Sequence, residues 1–117
     1  MFRLNAERAV YVHREAVDFR KSINGLAALV EGSLEMNPFD PALYVFGNRR
    51  RDRIKILGWD RNGFWLLIKR LEAERFVWPR SDESVIELTV EQLHWLLDGI
   101  DLAAMRRHRV VSYERAS

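Results

Sequence analysis

The chain has 117 residues, 48% of them hydrophobic, with 19 Lys and Arg against 17 Asp and Glu and a formal net charge of +2. That length suits one domain with its own core and is short for two. Zero cysteines exclude disulfides, thiolate nucleophiles and cysteine-ligated metal centres, and no apolar run nears the ~18 residues that cross a bilayer, so a cytoplasmic chain with no membrane partner is expected.

The first apolar run, Ala9-Val10-Tyr11-Val12, predicts a short strand ending at His13. Asp18 or Ser22 is then placed to accept hydrogen bonds from the free amides of a helix reaching about residue 36. Ile23, Leu26, Ala27, Val30 and Leu34 recur at helical spacing, an apolar stripe that should lie on the sheet. Asn37-Pro38-Phe39-Asp40-Pro41 ends that helix, because residues before proline leave the α region.

Leu43-Tyr44-Val45-Phe46 predicts the next strand, closed by Gly47-Asn48 and a turn crowded with Arg49, Arg50, Arg51, Asp52 and Arg53. Two further strands over residues 54–59 and 64–68 flank Asp60-Arg61-Asn62-Gly63, where Asn and Gly tolerate the positive φ of a tight hairpin. With a two- or four-residue loop, Leu57, Trp59, Phe64, Leu66 and Ile68 share one face with Arg53, Lys55 and Arg61 at its margin. Ile54, Ile56, Gly58, Trp65 and Leu67 take the other, so helices must cover at least one side. Arg75-Phe76-Val77-Trp78 is the candidate fourth strand of this meander, stopped by Pro79.

Val85-Ile86-Glu87-Leu88 is a brief extended segment, and Thr89 and Gln92 have the spacing of a capping box that starts a helix over residues 90–98. Gly99 is placed to end it in a left-handed cap. The expected architecture is a single α+β domain over residues 1–102, an antiparallel meander of four or five strands covered by an N-terminal and a C-terminal helix. A basic, flexible tail over residues 103–117 is expected to follow.

Two concentrations of positive charge suit phosphate: Arg49, Arg50, Arg51 and Arg53 at the turn, and Arg106-Arg107-His108-Arg109 in the tail. The bland reading of the first is a solvated hairpin tip. Lys55, Trp59 and Arg61 together have the composition of a basic-aromatic platform for stacked bases, though a Trp between Leu57 and Leu66 is ordinarily core. Arg20 and Lys21 precede a helix start, where amides favour anions, unless Asp18 pairs with Arg20.

With these pieces in place, the chain resembles the TnpB, or Orf2-like, accessory proteins of bacterial insertion sequence family 66. The resemblance rests on Asp18-Phe19-Arg20-Lys21-Ser22-Ile23-Asn24-Gly25-Leu26-Ala27, Asn37-Pro38-Phe39 and Tyr44-Val45-Phe46. It continues through Asp52-Arg53-Ile54-Lys55-Ile56-Leu57, Trp59-Asp60, Gly63-Phe64 and Lys69-Arg70-Leu71-Glu72, and closes on Arg75-Phe76-Val77-Trp78-Pro79 and Leu97-Asp98-Gly99-Ile100-Asp101. Gly58 stands where relatives often have an aromatic, Arg61 replaces a commoner acidic or small residue, and the ending after Leu102 also departs. The resemblance implies a non-catalytic accessory protein for transposition of a DNA element, without cofactors or metal, working beside the transposase of the same element. DNA at the element ends and a second copy of the chain are further expected partners.

Two alternatives stand beside that expectation. One is a protein-interaction module that stabilises the transposase without touching DNA. The other is a metal-dependent nuclease, which needs two or three converging carboxylates. Asp52, Asp60, Glu72 and Glu74 are its candidates, but each has a basic neighbour in sequence that favours turn chemistry and ion pairing.

Overall fold

The computed structural model describes residues 8–105, which form β1 (Ala9–His13), α1 (Ile23–Gly32), β2 (Ala42–Gly47), β3 (Arg53–Asp60), β4 (Gly63–Arg70), β5 (Val85–Leu88) and α2 (Val90–Leu97). One five-stranded sheet has the order β4-β3-β2-β1-β5. Every residue of β2 is buried, because the strand feeds both sides of the sheet. Leu43 and Val45 join Val10, Val12, Ile54, Ile56, Leu93 and Leu96 on the α2 side. Ala42, Tyr44 and Phe46 join Leu57, Leu26, Val30 and Leu34 on the α1 side. The result is a single α+β domain with helices on opposite faces of a central sheet, where an all-apolar strand is expected rather than an alternating one.

The antiparallel meander holds only for β2, β3 and β4. β1 runs parallel to β2, Tyr11 opposite Tyr44, and antiparallel to β5, so the sheet is mixed. The cause is the long connection carrying α1, which returns the chain to the end at which β1 began, as a parallel neighbour requires. A second correction concerns residues 75–78, expected as a strand, which have no strand assignment. The segment is pinned instead by Phe76, whose side chain is buried and whose amide donates to the Arg51 carbonyl at 2.7 Å, and by Trp78 Nε1, 3.3 Å from the His13 carbonyl. The fifth strand is 85–88, at the far edge.

α1 stops short of the expected residue 36. Glu35 adopts a positive φ of 54°, and the Leu34 and Met36 amides close back on the Leu29 and Val30 carbonyls, turning the chain out of the helix before Pro38. Ser22 is the N-cap but its side chain makes no capping hydrogen bond. Asp18 instead closes a local turn, accepting from the Arg20 amide at 2.9 Å. At α2 the capping box is present, with Thr89 Oγ1 accepting from the Gln92 amide and Gln92 Oε1 from the Thr89 amide. Gly99, at φ +81°, ends the helix with the Gly99 and Ile100 amides bonded to the Leu96 and Trp95 carbonyls. A further helical turn occupies residues 102–105, around the boundary where the tail was expected.

The β3–β4 loop has two residues, pairing Asp60 with Gly63, Trp59 with Phe64 and Leu57 with Leu66, which gives the face assignment expected of an even loop. Its positive φ falls on Arg61, at 56°, rather than on Asn62 or Gly63. On the α1 face, Trp59 and Phe64 meet edge-to-face at 5.0 Å and both contact Phe39, which stays half exposed. Tyr44 donates to the Asn37 carbonyl at 2.7 Å, and burial, aided by the charge of Asp40, pushes its hydroxyl up to about 12.

Candidate nucleic-acid interface

The turn between β2 and β3 is tied together by Asn48. Its Oδ1 accepts from the Asp52 and Arg53 amides at 3.1 Å each, while its Nδ2 donates to Asp52 Oδ1 at 2.6 Å. An amide side chain that satisfies three partners fixes the turn and directs Arg49 and Arg50 to the exposed tip. Asp52 serves the same turn. The Asn48 hydrogen bond first, then a backbone hydrogen bond from its own amide and the charges of Arg50 and Arg53, hold its carboxyl below the ordinary carboxylate range.

The arginine run does not act as one block. Arg51 takes a positive φ of 58° and rolls inward, its guanidinium 4.3 Å from the Trp78 ring centre and its Nη2 donating to the Arg14 carbonyl at 3.1 Å. Burial lowers its pKa, with Glu15 acting in the opposite sense. Lys55, also expected to face a nucleic acid, is only 8% exposed. Its Nζ donates to the Phe19 and Lys21 carbonyls at 2.8 and 2.7 Å and lies 4.8 Å from the Phe19 ring. Both cations are spent inside the protein: Arg51 fastens the 75–78 segment, and Lys55 fastens the approach to α1.

What remains outside is Arg49, Arg50 and Arg53. Sheet register adds a residue that sequence reasoning missed, since Arg53 stands directly opposite Arg70 across the β3–β4 pair. Arg70 is bound by Glu72 at 2.8 Å, whereas Arg53 makes no side-chain hydrogen bond or ion pair among the described residues. Arg75 is a second addition, exposed one position before the amide that bonds the Arg51 carbonyl. The signal for Arg70 was available in the hairpin: counting outward from a two-residue loop pairs positions 53 and 70.

The other expected residues lie elsewhere. Arg61 lies just past the opposite end of β3, whose first and last residues, Arg53 and Asp60, are seven residue steps or roughly 23 Å apart, so it does not share a phosphate with the turn. Trp59 is part of the aromatic group with Phe39 and Phe64 rather than an open platform beside Lys55. Arg20 is exposed but committed to Asp18, with Nη2 2.6 Å from Oδ2. That contact, above all, brings the Asp18 carboxyl down to about 2. Lys21 is exposed, its stem beside Gly25. Arg106 and Arg107 lie outside the described residues.

The carboxylates do not converge. Asp52 and Asp60 sit at the two ends of β3, and Asp60 accepts from Trp65 Nε1 at 3.1 Å. Among the described residues no group of three or more His, Asp or Glu is gathered as a metal ion would require. Nor is any helix among them long and apolar enough to cross a membrane.

A family model described as IS66 Orf2 like protein matches residues 8–107. Two proteins of Sinorhizobium fredii (strain NBRC 101917 / NGR234) are similar to the chain. Uncharacterized protein y4jC is 33% identical over 101 residues, 86% of each chain. Uncharacterized protein y4hO is 37% identical over 92 residues, 79% of this chain and 80% of its own. No solved structure matches.

Proposed function

The chain belongs to the IS66 Orf2-like family, a transposition-associated accessory family, and from that premise we propose that it contacts DNA of the mobile element through the β2–β3 turn while the transposase supplies the cutting and joining chemistry. The observation that carries this reading is the pairing of Arg53 with Arg70 beside a turn that holds Arg49 and Arg50 in solvent. Arg70 is answered by Glu72, so the cations left open to a phosphate here are Arg53, Arg49 and Arg50. Arg75 borders the same surface.

A duplex carrying an element end, titrated at several salt concentrations, tests the reading. Replacing Arg49, Arg50 and Arg53 by Ala is expected to weaken binding at least about tenfold and to flatten the plot of log affinity against log salt by up to about 0.9 for each phosphate no longer neutralised. Binding that keeps both its strength and its slope removes DNA contact from the reading.

A second reading, a module that holds the transposase without touching DNA, is favoured by the half-exposed Phe39 on the Trp59–Phe64 pair, an aromatic group of the kind that anchors protein interfaces. Its mark is co-purification with the transposase that survives nuclease and is abolished by Phe39→Ala.

A further inference from the structure

β4 is the edge of the sheet, and it is an unusual edge. Eight residues long, it exposes Trp65 (42%), Leu67 (36%) and Ile68 (61%), and β3 is the one element with which it makes substantial contact among the described residues. Edge strands are ordinarily short, bulged or charged, because a row of open amides and carbonyls templates another strand. Here the charges Lys69 and Arg70 are confined to one end, and the six residues before them, Gly63 to Ile68, carry none.

The backbone says which groups are open. A two-residue loop closes on the Asp60–Gly63 pair, and the Leu71 amide continues the ladder to the Asp52 carbonyl at 2.8 Å, so the odd-numbered residues of β4 bond inward to β3. Phe64, Leu66, Ile68 and Arg70 therefore direct their backbone donors and acceptors outward, all along the strand.

We propose that this edge pairs antiparallel with β4 of a second copy, making a continuous ten-stranded sheet about a twofold axis at Leu67. The occupant follows from charge and shape. In this register Phe64 opposes Arg70 of the second copy, Trp65 opposes Lys69, Leu66 opposes Ile68 and Leu67 opposes itself. Lys69, whose Nζ donates to the Leu97 carbonyl at 2.7 Å, and Arg70, paired with Glu72 at 2.8 Å, come opposite aromatic residues rather than one another, each aliphatic side chain meets another, and all four outward residues of each strand are used, about eight backbone hydrogen bonds in total. A parallel second strand in register would set Lys69 and Arg70 against their own copies. The antiparallel pair is isologous, so it closes as a dimer instead of growing into fibres. The proposal does not depend on DNA contact: no pair in this register uses Arg49, Arg50 or Arg53, and the one shared residue, Arg70, is already paired with Glu72 in its own chain.

Sedimentation of the full-length protein without DNA tests it, together with two substitutions at exposed positions. The wild type is expected to reach a dimer with rising concentration, and Ile68→Lys to raise the dissociation constant at least about tenfold with unchanged circular dichroism, because a charge enters the new ladder beside Leu66 of the second copy. Leu67→Cys gives an independent readout. The chain has no other cysteine, and the self-paired position brings the two Cα atoms to about 4.5 Å, within disulfide range, so mild oxidation is expected to link the copies far faster than it links Asp82→Cys, placed on a loop. A wild type that stays monomeric up to several hundred micromolar overturns the proposal, as does a dimer indifferent to Ile68→Lys with Leu67→Cys no faster than the loop control. A monomer that binds the transposase through β4 also overturns it, by giving the edge to a different strand.

Discussion

The Arg51 guanidinium lies 4.3 Å from the centre of the Trp78 ring, so the middle of the arginine run is part of the core margin and its neighbours are not. The fit is tight enough to dictate Gly47. A Cβ there would stand 2.6 Å from Arg51 Nη1 and 2.7 Å from the Trp78 ring. Arg51→Ala removes the stacked cation and the hydrogen bond to the Arg14 carbonyl, and urea unfolding is expected to report a loss of about 2 kcal/mol, while Arg49→Ala and Arg50→Ala stay within about 0.5 kcal/mol of wild type. Equal stabilities for the three variants would refute this division of the run.

Lys55 makes the same point on the other face of the sheet. Lys55→Met keeps the stem and deletes the ammonium, which leaves the Phe19 and Lys21 carbonyls without their shared donor. Losing a charged donor from a nearly buried site is expected to cost about 2–3 kcal/mol. Amide exchange at the start of α1 should accelerate, since this lysine anchors the segment before Ile23. The slope of DNA affinity against salt should not move; if it does, Lys55 reaches phosphate after all.

These two residues explain much of what the sequence conceals. Period-two patterning located β1, β2, β3 and β4 to within a residue or two, and Thr89, Gln92 and Gly99 marked both ends of α2, because those signals are local. The direction of β1 relative to β2 is not local, and an apolar strand reads alike in parallel and antiparallel company. Phe76 is a single apolar residue that fills a gap from an irregular segment, and a lone buried side chain leaves no period to detect. Arg51 and Lys55 are disguised by their chemistry: a long stem under a charged head can be turned inward wherever a ring or a carbonyl receives the head, and neighbours in sequence do not reveal which.

Asp18 and Arg20 give a pH-dependent signature. The Arg20 guanidinium, by its side-chain hydrogen bond first and the backbone amide second, brings the Asp18 carboxyl from 3.8 to about 2. A depressed carboxylate favours the folded state at pH above 3.8, and that contribution disappears as pH falls through about 2. Arg20→Ala is expected to raise the titration midpoint of Asp18 towards, but not fully to, 3.8, because the backbone amide still donates. A carbon-detected NMR titration reads this directly. A phosphate ligand at Arg20 must compete with that carboxylate, so Asp18→Asn should strengthen any DNA contact made there and leave contacts at Arg49 and Arg50 unchanged.

Arg61 is the residue that a designer would change. It occupies the first loop position of the β3–β4 hairpin with φ at 56°, a conformation that costs a branched or long side chain and that glycine accepts freely. The sequence points one or two positions too late, to Asn62 and Gly63, because Asn-Gly suggests the loop itself, whereas Gly63 is already the first residue of β4. Arg61→Gly is expected to stabilise the protein by about 0.5–1 kcal/mol, seen as a higher urea midpoint with unchanged slope. The register of Trp59 with Phe64 should persist, readable in Trp fluorescence, since the loop length is unaltered. Retaining an arginine in a strained position has a use if it meets an anion, and the geometry separates the outcomes. Arg61 stands at the far end of β3 from Arg49 and Arg50, so a phosphate contact at Arg61 would make Arg61→Gly lower the salt slope additively with the triple substitution at the turn. If affinity is unchanged while stability rises, the hairpin tip carries no part of the DNA surface.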